Sequence, residues 1–234
     1  MENATISPVE SRTGNTDGDI HTLDKTEVAV MIKNVIFDMG SVLTHFEPEV
    51  FVKRLGYTGE DALLLQQEVY GSFEWAMMDW GYRTEEETIA NLCVVLPQRF
   101  HEAIRQLVTA WDQPCIIPID GMVELLAELK DKGYQMYLLS NAGPRHREYW
   151  PSTPVAPYFE GVVVSAYYHL VKPQPEIYQT LLQKFALKAD ECVFVDDVPL
   201  NVAGAAVSGI SGVVFRSAKK LRRDLRSMGI EISE

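Results

Sequence analysis

The stretch Asn34-Val35-Ile36-Phe37-Asp38-Met39-Gly40-Ser41-Val42-Leu43 decides the fold. A short apolar run stops abruptly at an acid, passes through a Gly-Ser turn and turns apolar again. Such a run bounded by turn residues reads as a strand buried in a parallel sheet, and the C-terminal ends of such strands are where open α/β sheets place ligands. Asp38 falls at that end. Taken alone, a carboxylate there can as well cap a turn, so its meaning depends on what the rest of the chain brings to it.

From Pro114 onward, helical and strand patterns alternate. Asp120 is placed to cap a helix with the apolar stripe Met122, Leu125, Leu126 and Leu129, and Gly133 to close it. Tyr134–Leu139 reads as a strand ending at Ser140-Asn141, and Val162–Val164 as another. A helix opened by Pro175 carries Ile177, Leu181, Leu182 and Phe185 on one face. Cys192–Val195 reads as a strand ending in Asp196-Asp197, followed by a small-residue helix over 200–208 and a last strand at Val213–Phe215. Alternation of this kind predicts a Rossmann-like α/β fold, a parallel sheet covered by helices on both faces.

Between the first strand and this array the texture differs. From about Phe46 to Trp111 the pattern is helical throughout. Pro48–Leu55 and Glu60–Val69 are short helical segments. Thr84-Glu85-Glu86-Glu87 is a capping box leading into a face of Ile89, Leu92, Cys93 and Leu96. Pro97 ends that helix, and Phe100, Ile104, Leu107, Val108 and Trp111 line the next. The expected organisation is a tail over residues 1–28, a core domain over 29–45 and 114–234, and a helical cap over 46–113.

Composition narrows the function. The chain has 234 residues, 47% of them hydrophobic, and a mean hydropathy of -0.06. No apolar run approaches the ~20 residues of a membrane span, and the N-terminus has no signal-like segment. The formal charge of -12 argues against nucleic acid as a partner. The basic residues Arg216, Lys219, Lys220, Arg222, Arg223 and Arg226 have the spacing of a solvated helix face. Cys93, Cys115 and Cys192 are odd in number and lack metal-ligand spacing, which predicts packed thiols in a reducing, cytoplasmic setting.

Three strands thus end in polar groups, at Asp38, Ser140-Asn141 and Asp196-Asp197. In a parallel sheet these ends share one edge, so acids far apart in sequence meet. Carboxylates in one cleft repel unless a cation joins them, and an all-oxygen donor set suits Mg²⁺, which takes a few carboxylates together with substrate phosphate. Lys172, within Val171-Lys172-Pro173-Gln174-Pro175, would supply the positive charge that a phosphate needs beside an aspartate.

In order and spacing, these four segments resemble the four motifs of the haloacid dehalogenase superfamily. The resemblance runs from about residue 31 to the end. It implies Asp38 as nucleophile, with Ser140 and the Asn141 amide holding the phosphoryl group. It implies Lys172 as the residue steadying both, and Mg²⁺ held by Asp38, the Gly40 carbonyl and Asp197, with Asp196 behind or alternating with Asp197. The helical insertion matches the family's commonest cap position. The implied activity is a phosphatase acting on a small phosphorylated metabolite, as a monomer or small homo-oligomer.

One departure stands out. Most phosphatases of the superfamily carry a second aspartate two residues after the nucleophile, as acid for the leaving alcohol, and here that position is Gly40. A positioned acid is worth on the order of 10²–10⁴ in rate. Either the leaving group is a good one, or another residue supplies the proton, with His45, Arg145 and His146 as candidates. The glycine, with Arg145, His146, Trp150 and Pro151 after Ser140-Asn141, resembles a branch that includes α-D-glucose-1-phosphate phosphatase, whose anomeric leaving group needs less help. Trp75, Trp80, Tyr82 and Arg83 are then candidates for shaping a sugar pocket. The other readings are a phospho-ligand-binding protein with little turnover and, given the acidic pair, less readily a metal-independent 2-haloacid dehalogenase.

Overall fold

The computed structural model describes residues 31–112 and 116–233. The expected tail over 1–28, the second junction of cap and core at 113/114, and Cys115 lie outside these residues. Five parallel strands, β1 (Asn34–Phe37), β2 (Gln135–Ser140), β3 (Gly161–Val164), β4 (Cys192–Asp196) and β5 (Ser211–Val214), form one sheet in the order β3-β2-β1-β4-β5. The chain runs outward from β1 through β2 to β3, then crosses back to lay β4 on the other side of β1. The switch point beside β1 is where the crevice of an open α/β sheet forms.

Alternation along the strands builds two cores. Val35 and Phe37, with Met136, Leu138, Val193 and Val195, face one side, under α6 (Met122–Asp131) and α10 (Ala218–Ser227). Ile36, with Tyr137, Leu139, Cys192 and Phe194, faces the other, under α8 (Pro175–Lys184) and α9 (Pro199–Val207). Full burial of β1 and β4 on both faces explains the apolar runs Val35–Phe37 and Cys192–Val195. The Rossmann-like expectation is therefore met. Cys192 is a packed core thiol, and Cys93 is only partly covered.

Local details depart from expectation in three places. The last strand begins at Ser211 and ends at Val214, two residues earlier at its start than the apolar run suggests. It is an edge strand whose first two residues, Ser211 and Gly212, are exposed, so hydrophobicity marks only its inner half. Asp120 does not cap α6: the N-cap is Gly121 at φ 79°, which turns the chain so that no side-chain cap forms. The helix expected over 60–69 divides into α2 (Gly59–Leu65) and a π-helical turn over Gln66–Tyr70.

Besides α2, the described residues between β1 and α6 form the α-helices α1 (Pro48–Arg54), α3 (Phe73–Asp79), α4 (Glu85–Val95) and α5 (His101–Thr109). They enclose their own apolar cluster, which includes Leu65, Trp75, Leu92, Phe100, Ile104 and Leu107. The Thr84 capping box is present in full: the Thr84 hydroxyl accepts the Glu87 N–H at 3.1 Å, and the Glu87 carboxylate accepts the Thr84 N–H at 2.9 Å. No helix among the described residues is long and apolar enough to cross a membrane.

Candidate active site

Parallel register sets the site. Phe37 pairs with Leu138 on one side and Val195 on the other, so the next residue, Asp38, sits level with the ends of β2 and β4. Its N–H is the last rung, donating to the Val195 carbonyl at 2.9 Å. The chain then folds back sharply: the Met39 carbonyl accepts the N–H groups of Leu43 and Thr44 at 2.8 and 3.1 Å, and Ser41 takes a left-handed conformation at φ 59°. This turn keeps the Asp38 carboxyl at the rim, its side chain 13% exposed.

Lys172 reaches this rim from the loop before α8. Its peptide is held by Asn141, whose side-chain oxygen accepts the Lys172 N–H at 2.8 Å and whose amide donates to the Lys172 carbonyl at 3.1 Å. The peptide bond to Pro173 is cis. The fully buried Lys172 ammonium lies 2.7 Å from Asp38 Oδ1 and 2.7 Å from Asp196 Oδ2. Asp196 is also fully buried and takes further bonds: Oδ1 accepts the Val198 N–H at 2.8 Å, and the Asn201 amide bridges both oxygens at 3.1 Å. With the lysine, all four acceptor positions of this carboxylate are engaged. Asp196 anchors the lysine.

Asp197 is different, being half-buried and absent from any such ion pair. One carboxylate oxygen from each of Asp38, Asp196 and Asp197 falls within a 4.8 Å cluster. Burial raises the Asp38 carboxyl to about 6 even though the Lys172 charge opposes the shift, with Asp196 repulsion adding to it. Burial and then the Asp196 charge also raise Asp197. Acids held this close and pushed upward are a poor arrangement for carboxylates alone and a fitting one for a hard divalent cation. Since Asp196 has its acceptor positions filled, Asp38 and Asp197 are the pair able to face such an ion.

A cavity of about 150 Å³ opens over this rim. On the sheet side it is lined by Asp38, Gly40, Ser140 and Asn141, on the cap side by Phe46, Trp75, Met78 and Asp79. Phe46, where the chain leaves the sheet edge for the helical region, packs edge-on against Phe51, Tyr70 and Trp111. The backbone does not require glycine at position 40, because a Cβ there would meet only Phe46 Cβ, at 3.6 Å. Of the four residues expected to shape a sugar pocket, only Trp75 lines the cavity. Trp80 donates its indole N–H to the His169 carbonyl at 3.0 Å, Tyr82 packs on His169 and Arg83 pairs with Glu74.

The three residues considered as proton donors border the cavity, but two are paired with carboxylates and the third is held neutral by burial. His45 is exposed and lies 3.1 Å from Glu47. Arg145, just before the short α7 (His146–Tyr149), makes a two-bond pair with Glu85 of the helical region, at 2.7 and 3.2 Å, and also meets Glu148 and Asp112. His146 is 2% exposed, and burial lowers it to about 4. Sequence reasoning missed Asp79, which ends α3 in an unremarkable Met-Met-Asp-Trp string. Burial raises its carboxyl to about 8 despite bonds from the Trp75 side chain and the Gly143 N–H.

The chain is 29% identical over 115 residues to flavin mononucleotide hydrolase 1 of Arabidopsis thaliana chloroplasts, a match covering 49% of this chain and 47% of that protein. It is 27% identical over 203 residues to a sesquiterpene phosphatase of Aspergillus oryzae, covering 84% and 96%. It thus spans about half the length of the first relative and nearly all of the second. A haloacid dehalogenase family enzyme from Bacteroides thetaiotaomicron, solved with magnesium and inorganic phosphate, superimposes with a TM-score of 0.60 at 22% identity, covering 80% of this chain and 95% of that one. The family model for haloacid dehalogenase-like hydrolases matches residues 32–209, a span that holds β1, the helical region and every residue of the acid–lysine rim. By that match, the chain belongs to the haloacid dehalogenase-like hydrolases.

Proposed function

We propose that the protein is a Mg²⁺-dependent phosphatase of a small phosphorylated metabolite and works through an aspartyl-phosphate on Asp38. The observation that carries this reading is the position of Lys172, 2.7 Å from both Asp38 and Asp196, with Asp197 in the same 4.8 Å cluster. The magnesium and phosphate in the Bacteroides enzyme and the phosphatase named in Aspergillus support the choice of ion and reaction class.

Asp38 Oδ attacks phosphorus in line and displaces the alcohol, and water then cleaves the acyl-phosphate. Lys172 keeps Asp38 ionised and oriented, and with Ser140 and the Asn141 amide it faces the equatorial phosphoryl oxygens. Asp38, the Gly40 carbonyl and Asp197 would hold Mg²⁺, which offsets the negative charge shared by nucleophile and phosphate. Asp196, with no acceptor position left, fixes the lysine. The aromatic cap wall excludes water from the first step.

The cavity volume bears on the substrate. At about 150 Å³ it lies below the ~300 Å³ at which ordinary ligand pockets begin. A phosphate with a small polyhydroxylated group fits that space, and a flavin or a nucleotide requires the cap to move. Within this class, sugar 1-phosphates suit Gly40 best, because an anomeric oxygen leaves with less proton assistance.

Phosphate release measured across sugar 1-phosphates, sugar 6-phosphates and nucleotides, with and without Mg²⁺, tests the reading. Turnover should depend on Mg²⁺ and favour sugar phosphates over nucleotides. Asp38→Asn should abolish it while leaving the thermal transition in place. Full activity in that variant, or halide release from 2-haloacids in the presence of a chelator, would refute the proposal.

A further inference from the structure

We infer that the Asp79 carboxyl, at the C-terminal end of α3 in the cap, is the proton donor to the leaving oxygen, filling the role for which Gly40 has no side chain. The inference rests on the phosphatase reading above and names a catalytic residue for it.

Placement carries the argument. Asp79 lines the same cavity as Asp38, Gly40 and Ser140 but enters from the opposite wall, the side from which a leaving group would project. It is held across the seam between cap and core by its neighbours. Its carboxyl lies beside the Trp75 side chain, one turn back on α3, and the backbone of Gly143, three residues beyond Ser140. Its backbone carbonyl accepts the Ser165 hydroxyl at 2.5 Å, and that hydroxyl accepts the Ala142 N–H at 2.9 Å. The position a Cβ would take at Gly143 is 3.5 Å from Asp79 Oδ1, which sets the carboxyl against this loop. The carboxyl is therefore fixed to the loop that leaves the phosphate-facing end of β2.

Its surroundings leave it a proton to give. The titratable and charged groups around the same cavity are Asp38, His45, Glu85, Arg145, His146 and Tyr149. The one permanent cation among these, Arg145, is engaged by Glu85, Glu148 and Asp112. Burial therefore dominates at Asp79 and lifts it to about 8, so the acid is protonated at neutral pH and close to the working range of a general acid. The alternatives lack that property. His146 is neutral there, Arg145 does not release its proton, and burial raises the Tyr149 hydroxyl far above the useful range.

The step balances. As the bond from Asp38 Oδ to phosphorus forms and the bond from phosphorus to the leaving oxygen breaks, the Asp79 proton passes to that oxygen, giving an alcohol and an Asp79 carboxylate. In the second half, the carboxylate takes a proton from the attacking water as the Asp38–phosphorus bond breaks and inorganic phosphate departs. A donor of this kind extends the substrate range from anomeric phosphates to ordinary alkyl phosphates.

The test compares two esters under saturating Mg²⁺: p-nitrophenyl phosphate, whose phenolate leaves unaided, and glycerol 2-phosphate, whose alkoxide does not. Asp79→Asn should lower kcat/KM for the alkyl ester by on the order of 10²–10⁴ and for the aryl ester by less than about tenfold. Residual aryl turnover reports that the variant is folded. Asp79→Glu should recover part of the alkyl activity. In the wild type, with no variant needed, kcat for the alkyl ester should fall above a pH of about 8 while the aryl profile stays level. Equal losses for both esters in a folded variant, or superimposable wild-type profiles, would overturn the donor role and leave the phosphatase reading intact. A wild type that releases phosphate from neither ester would overturn both.

Discussion

The two walls of the cavity handle charge in opposite ways. On the sheet side, charges answer one another: Lys172 lies between Asp38 and Asp196, and Asp196 has its remaining acceptor positions filled by Val198 and Asn201. On the cap side, Glu85 is paired with Arg145, while aromatic and thioether groups lie around the Asp79 carboxyl, which burial keeps in its protonated form. The first wall is built to hold ionised groups in fixed positions. The second suits a neutral acid that ionises only during a reaction. In the proposed mechanism, one of these carboxyls attacks and the other protonates, a division set by their environments.

Removing the lysine should disturb the sheet-side wall most severely. In Lys172→Ala two buried carboxylates lose their shared cation, and breaking a buried pair costs about 3–5 kcal/mol. Urea melts should register that loss. Activity should fall by at least the ~10²–10³ seen when one electrostatic donor is removed from an active site.

The contact joining the walls comes next. Arg145 after β2 and Glu85 at the start of α4 form a two-bond pair, with side chains 15% and 18% exposed. A double-mutant cycle of Arg145→Met and Glu85→Gln should give a coupling of about 1.5–3 kcal/mol, the range for charged hydrogen bonds away from water. The single variants should raise KM more than they lower kcat, since they loosen closure and leave the rim untouched.

The pH dependence of stability sharpens the contrast further. Asp79 binds its proton more tightly when folded, at about 8 against an ordinary value near 3.8. Its contribution is complete at acid pH and is lost as the pH rises through 8. Asp38, at about 6 in the metal-free protein, acts in the same sense over a lower window. The melting temperature of the metal-free protein should therefore fall between pH 5 and pH 9, on the order of the window set by these shifts. Asp79→Asn should flatten the upper part of that slope. Glu128, held at about 2 chiefly by Arg222, works in the other direction and matters only below its ordinary range.

The smallest effect belongs to the cap alone. Thr84→Ala removes a capping box from α4 and should cost ~1 kcal/mol, lowering the melting temperature by about 2–4 °C for a chain of this size. Activity at saturating substrate should be unaltered. A large kinetic effect would mean that the start of α4, beside Glu85, sets the position of the cap.

Residues whose positions follow from chain order were legible. A strand ending in an acid, two more ending in polar groups and a lysine before a proline are local patterns, and parallel pairing forces them to one edge. Helix ends were less legible. Asp120 has the chemistry of a cap but loses the place to Gly121 at φ 79°, a choice made by the turn leading into the helix. The proposed sugar-pocket residues show the same limit. Trp80, Tyr82 and Arg83 are adjacent to Asp79 in sequence yet bond to His169 or Glu74 outside the cavity.

Residue order was enough to specify the parallel sheet, the helical region and the meeting of Asp38, Lys172, Asp196 and Asp197, because strand periodicity and right-handed crossovers leave few other arrangements. Tertiary structure alone decided which acid of the 196–197 pair is saturated, which arginine is clamped, and that Asp79 meets Gly143 across the seam. Those outcomes depend on burial and on partners distant in the chain. A carboxyl group carries no mark in the sequence of whether water or aromatic rings will surround it.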